Sequence, residues 1–187
     1  MQTNIKTNSF KVWRTIELGT FKRRRDLLNA LDKKGKLNCV DGSYSRMLTR
    51  MSIAKKRVRL NLVKIRPKDI GFVVPETRWG EKIFMASQLN RHALSIGLRL
   101  CPAEVALQLC LQSHLYISDV TIGMKPTLIR FNDFDEGPGS NEIVWGLKNP
   151  GLYPSLGGYY WDNEFWIYVK PNQSGNSRFF LPISQKP

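Results

Sequence analysis

With 187 residues, 42% of them hydrophobic and 11% aromatic, the chain has apolar surface enough for a full core, which excludes a disordered segment and a disulfide-dependent miniprotein. No run of 18 apolar residues occurs and Met1–Ser9 is polar, so neither a membrane span nor Sec export is expected. The formal charge of +14 is unevenly spread: residues 1–100 hold 23 Lys and Arg against 7 Asp and Glu, the remainder 6 against 8.

In chain order, Lys11–Leu18 sets Val12, Arg14 and Ile16 against Trp13, Thr15 and Glu17, the alternation of a short strand. Phe21–Lys34 predicts a helix with Leu27, Leu28 and Leu31 on its apolar face, Thr20 as its cap and Gly35 at its exit. Tyr44, Met47, Leu48 and Met51 recur at helical spacing, so a second short helix is expected from about Ser43, with Arg46 and Arg50 outward. Arg57–Ile65 reads as a strand carrying Val58, Leu60 and Leu62 on one side and Arg57, Arg59 and Asn61 on the other.

Ala86, Leu89, Ala93 and Ile96 predict a helix ending at Gly97, with a start between Trp79 and Met85. Pro102 suits the first turn of a further short helix that turns Val105, Leu109 and Cys110 inward. Beyond Gln112, the segments Tyr116–Met124, Leu128–Phe131, Ile143–Leu147, Phe165–Val169 and Phe179–Ile183 are apolar or alternating, separated by Gly, Pro, Asn and Asp. The expected architecture is one α+β domain over residues 1–187. A basic, helix-rich half (1–112) packs beside a mainly antiparallel C-terminal β-meander (113–187).

The run Gly97-Leu98-Arg99-Leu100-Cys101-Pro102-Ala103-Glu104-Val105, followed by Gln108-Leu109 and Leu111-Gln112, resembles a widespread, uncharacterised bacterial family of small proteins. That family carries a Leu-Cys-Pro-Ala-Glu-Val segment. Leu18-Gly19-Thr20, Ile70-Gly71-Phe72, Gly123-Met124-Lys125-Pro126, Asn149-Pro150 and Trp161-Asp162 match it in the same order along nearly the whole chain. The resemblance bears on fold and implies no activity. Relatives commonly have acidic residues entering the strand at Val58, where this chain has Arg57 and Arg59, so the basic face is particular to this protein.

The charge asymmetry points to an anionic partner, with nucleic acid or a nucleoprotein complex first and an acidic protein second. The candidate contacts are Lys22, Arg23, Arg24, Arg25, Lys33, Lys34, Arg46, Arg50, Lys55, Lys56, Arg57, Arg59, Lys64 and Arg66. Arginine forks suit phosphate oxygens, and each phosphate neutralised releases counterions. No zinc-finger spacing, RNA-recognition aromatic pair or helix-turn-helix accompanies them, so sequence-specific readout is not expected. The bland alternative is a solvated basic surface.

Three further constellations carry chemistry on paper. Cys101 with Glu104 and His92 or His114 supplies the residue types of a nucleophile, acid and base; the plainer reading is a buried thiol before a helix and a carboxylate at that helix's positive end. Asp133, Asp135, Glu136 and Glu142 offer oxygen ligands for a metal-dependent nuclease, or merely a turn between strands. Trp145, Tyr153, Tyr159, Tyr160, Trp161 and Trp166 suit base stacking or core packing. No catalytic residue, metal ligand or cofactor is assigned. Cys39, Cys101 and Cys110 lack paired spacing, which fits reduced thiols in a cytoplasm.

Overall fold

A computed structural model describes residues 10–35, 48, 51–76, 83–112, 120–124, 127–128, 142–148, 151–155, 160–161 and 164–171. Its elements run β1 (Arg14–Leu18), α1 (Arg24–Lys33), β2 (Val58–Ile65), a 3-10 turn (Pro67–Ile70), β3 (Ile83–Phe84), α2 (Ala86–Ser95) and α3 (Glu104–Gln112). The second half adds β4 (Val120–Ile122), β5 (Thr127–Leu128), β6 (Glu142–Lys148), β7 (Gly151–Ser155), β8 (Tyr160–Trp161) and β9 (Phe165–Val169). The class is α+β, with helices and a mixed, mainly antiparallel sheet.

The sheet is ordered β1-β2-β9-β4-β6-β5, with β7 also on β6, while β3 and β8 form a separate pair. β9 is therefore flanked by a strand of the first half, β2, and a strand of the second, β4, which it meets in parallel. That position explains its composition. A strand covered on both faces is apolar throughout rather than alternating, and Trp166, Ile167, Tyr168 and Val169 are all buried. β4, β6, β5 and β7 of the second half lie on one side of β9, and β1 and β2 extend the sheet on the other.

Directly opposed residues share a face, so the register sorts the core. Ile16 opposes Leu60, and Lys64 opposes Ile167, on one side; Val63 opposes Tyr168, and Ile65 opposes Trp166, on the other. Phe84 and α2 cover the second side: the Phe84 ring lies 5.8 Å from Trp166, and Asn90 of α2 accepts the Tyr168 hydroxyl at 2.9 Å. α3 touches β1 at one end of the sheet and β6 and β7 near the other, so the sheet curls around it. Glu104–Leu111 is buried on every side as a result.

α1 matches its predicted apolar face, with Leu27 and Leu31 buried and Gly35 in a left-handed exit at φ +60°. Its start is corrected from Phe21 to Arg24. Four consecutive cations at Lys22–Arg25 oppose the positive end of a helix, and Thr20 does not cap it, because its hydroxyl accepts Gln108 Nε2 at 2.8 Å instead. α2 begins at Ala86, where Gln88 Oε1 accepts the Met85 amide at 2.8 Å. β3, β7 and β8 were not expected from the sequence. Of the helix expected from Ser43, only Leu48 and Met51 are described, Met51 being buried; the strand at Phe179–Ile183 lies outside the described residues. Among the described residues no helix is long and apolar enough to cross a membrane.

Gly19, which follows β1, has φ +68°, and a Cβ there would stand 2.3 Å from the Lys56 carbonyl oxygen. Only glycine lets these two backbones touch. Gly19→Ala is expected to destabilise the protein by about 2 kcal/mol or more, because it adds left-handed strain to a backbone collision. A urea titration checks this, and a midpoint within error of wild type would contradict it.

Candidate functional site

α3 is apolar except for a stripe at i, i+4 and i+8: Glu104, Gln108 and Gln112. This stripe faces β1 and the loop after it. The Gly19 amide donates to Glu104 Oε1 at 2.8 Å and the Ala54 amide to Oε2 at 2.7 Å, while Gln108 Nε2 reaches Oε1 at 2.9 Å. Gln112 Nε2 donates to the Glu17 carbonyl at 2.6 Å and to Gln108 Oε1 at 2.8 Å, and Gln112 Oε1 accepts the Glu17 amide at 3.0 Å. Glu104 is 1% exposed and its charge is carried by three N–H donors. A buried carboxylate supported this way clamps two chain segments together.

The clamp decides where the cations go. The segment after Gly19 carries Lys22–Arg25, and the segment around Ala54 carries Lys55, Lys56, Arg57 and Arg59; the Gly19–Lys56 contact and an Arg24 Nη1 bond to the Met51 carbonyl at 3.5 Å join them further. Lys22, Arg23, Arg25, Lys55, Lys56, Arg57 and Arg59 are exposed, and none of them is ion-paired among the described residues. Glu17 stands opposite Arg59 in the β1–β2 register, and Asp26 follows Arg25 in the first turn of α1.

The other candidates lie elsewhere. Lys33 and Lys34 close α1, about 15 Å along its axis from Arg24, and Lys34 Nζ donates to the Leu111 carbonyl at 3.1 Å. Lys64 follows Arg59 by about 16 Å along β2, on the opposite face of the sheet. There Lys64 Nζ lies 4.1 Å from the Phe165 ring centroid and 5.9 Å from that of Trp13, Arg66 lies 5.5 Å from Phe165, and Arg14 lies 4.9 Å from Trp13. Arg66 also forks onto Asp69. Burial lowers the Lys64 pKa, and the rings hold these cations in place. Arg46 and Arg50 lie outside the described residues.

Cys101, Glu104 and His92 take three separate sets of partners. Cys101 is 4% exposed and its thiol donates to the Ile167 carbonyl at 3.3 Å; the His92 Nε2–H donates to the Ile70 carbonyl at 2.8 Å; and Glu104 is committed to the clamp. Burial pushes the Cys101 thiol far above its ordinary pKa, so it is a poor source of thiolate. Cys110 is also buried and is in no disulfide among the described residues. Asp133, Asp135, Glu136 and His114 lie outside the described residues, and Glu142 opens β6 opposite Leu128. Of the aromatic group, Trp166 is fully buried and stacks on Tyr168 with centroids 6.4 Å apart. Tyr160 and Trp161 form β8 opposite β3, Trp145 and Tyr153 lie in β6 and β7, and Tyr159 lies outside the described residues.

The sequence signal of the clamp is three polar residues spaced by four on a helix otherwise apolar, a pattern that the apolar periodicity of α3 does not single out. Comparisons with protein-family models, with curated proteins and with solved structures each found no match.

Two outcomes follow from this geometry. Glu104→Gln replaces one acceptor with a donor facing a backbone N–H and is expected to cost about 3 kcal/mol, read as a lowered urea midpoint with unchanged m-value; full retention of stability would contradict the clamp. Cys101 and Tyr168 both have raised pKa values, chiefly through desolvation, so folding favours their neutral forms. Their contribution is complete below the unfolded thiol's pKa of about 8.5 and is lost as pH rises beyond it. The urea midpoint is therefore expected to fall from pH 8 upward, less steeply in Cys101→Ala, and a pH-independent midpoint would refute this.

Proposed function

We propose that the protein binds nucleic acid, alone or within a nucleoprotein complex, through the basic end built by residues 22–25 and 55–59. The observation that carries the reading is the local surplus of exposed cations: seven Lys and Arg side chains on two clamped segments, with no ion pair among the described residues. Such a surface repels itself, and an anionic polymer relieves the repulsion while releasing its own counterions. Lys64 and Arg66 are secondary in this reading, because aromatic rings and Asp69 already engage them. Arg24 and Lys34 direct their side chains to backbone carbonyls and are secondary for the same reason.

Contacts of this kind address the phosphate backbone, so affinity depends on charge and strand form more than on base sequence. Cys101 and Cys110 are buried and neither is in a disulfide among the described residues, which fits a reducing compartment, and we place the protein in the cytoplasm on that ground. The resemblance to proteins with a Leu-Cys-Pro-Ala-Glu-Val segment belongs with this proposal as a statement about fold. In this chain Leu100 packs against the core, Cys101 is buried in it, Glu104 is the clamp and Val105 is buried beside it. A segment doing those tasks marks an architecture rather than a reaction.

Fluorescence polarisation with labelled single-stranded and duplex oligonucleotides tests the reading. Affinity is expected to fall steeply between about 50 and 200 mM salt, with the log–log slope reduced by about 0.9 for each duplex phosphate contact removed. Lys55→Glu with Arg57→Glu should lower affinity at least about tenfold, whereas Lys33→Glu should change it little. Absent binding at low salt, or binding indifferent to salt, would refute the reading and favour an acidic protein as partner.

A further inference from the structure

A cavity of about 400 Å³ opens beside the clamp, a size typical of small-molecule sites. Its walls are apolar: Leu18 from the end of β1, Val58 and Leu60 from the start of β2, Ile53 before the clamp, and Pro102 before α3. Leu18 and Leu60 are buried, while Ile53 and Val58 are partly open, so the cavity reaches from the core to the surface. Two exposed cations, Lys55 and Lys56, border it, and the Glu104 carboxylate lies in its wall with its oxygens occupied by three N–H donors.

We propose that this cavity binds a small amphipathic anion, specifically a medium-chain aliphatic carboxylate, with its tail between Leu18, Ile53, Val58 and Leu60 and its head at Lys55 and Lys56. The walls dictate the tail. A polar group placed among these side chains loses its water without a replacement partner, whereas an alkyl chain gains by leaving water. The mouth dictates the head. Both lysines are exposed and neither is ion-paired among the described residues, so a carboxylate there finds two cations. The same charges exclude a cationic head. Glu104 does not exclude the anion, because its charge sits in the wall, already held by the Gly19, Ala54 and Gln108 donors, while the anionic head stays outside.

This ligand is distinct from nucleic acid, although the two share Lys55 and Lys56. Isothermal titration of the full chain at low ionic strength uses decanoate as the probe, with acetate as the head without the tail and decylammonium as the tail with the opposite charge. Decanoate is expected to bind, and acetate and decylammonium at least about tenfold more weakly. Ile53→Trp, which fills the cavity from its partly open side, should weaken decanoate at least about tenfold and leave oligonucleotide affinity unchanged; Ile53→Phe serves the same purpose if that variant misfolds. Lys55→Glu with Lys56→Glu should weaken both ligands. No decanoate binding, equal binding of decylammonium, or decanoate affinity untouched in a folded cavity-filling variant would each overturn the proposal, and none of these results would bear on nucleic-acid binding.

Discussion

The fold depends on one carboxylate removed from water. Glu104 sits in the first turn of α3, where the helix's positive end favours it, but its burial would be costly without donors aimed at it. Gly19 and Ala54 supply backbone N–H groups from segments far apart in the chain, and Gln108 supplies a third donor from the helix itself. Each of these groups is satisfied only when the others are in place. The arrangement therefore specifies a geometry: β1 must end beside the chain entering β2, and both must lie against α3.

Charge follows from that geometry. Residues 22–25 and 55–59 are separated by a long stretch of chain, yet the clamp and the Gly19–Lys56 contact bring them to one end of the sheet. The remaining cations near β2 have a different fate, because Trp13, Phe165 and Asp69 occupy them. A net charge read along the chain treats these two groups alike. Their physical roles differ: one group is held against aromatic rings, and the other faces solvent.

Local order was legible where periodicity carried it. Leu27 and Leu31 marked α1, Ala86, Leu89 and Ala93 marked α2, and the alternation at Val58, Leu60 and Leu62 marked β2, because each pattern reports one buried side of one element. The apolar run Phe165–Val169 was legible as a strand, but its place between β2 and β4 was not, since register and neighbours are settled by contacts between distant segments. The start of α1 was misjudged for a related reason: Thr20 looked like a local cap, and a glutamine 88 residues away claimed its hydroxyl. The cations of the proposed site were named from the sequence; their division into a solvent-facing end and an aromatic-bound strip required the fold.

Among the described residues β1 is the outermost strand on its side of the sheet, a position where unpaired backbone groups ordinarily invite another chain to add on. Here Gln112 offers Glu17 a carbonyl and an N–H in the manner of a neighbouring strand, and Glu104 takes the Gly19 amide just beyond. A side chain on a helix thus terminates the sheet. The Glu17 N–H and carbonyl and the Gly19 N–H are thereby taken, so a strand added along β1 would find no partner in them, and no proline or bulge is needed there.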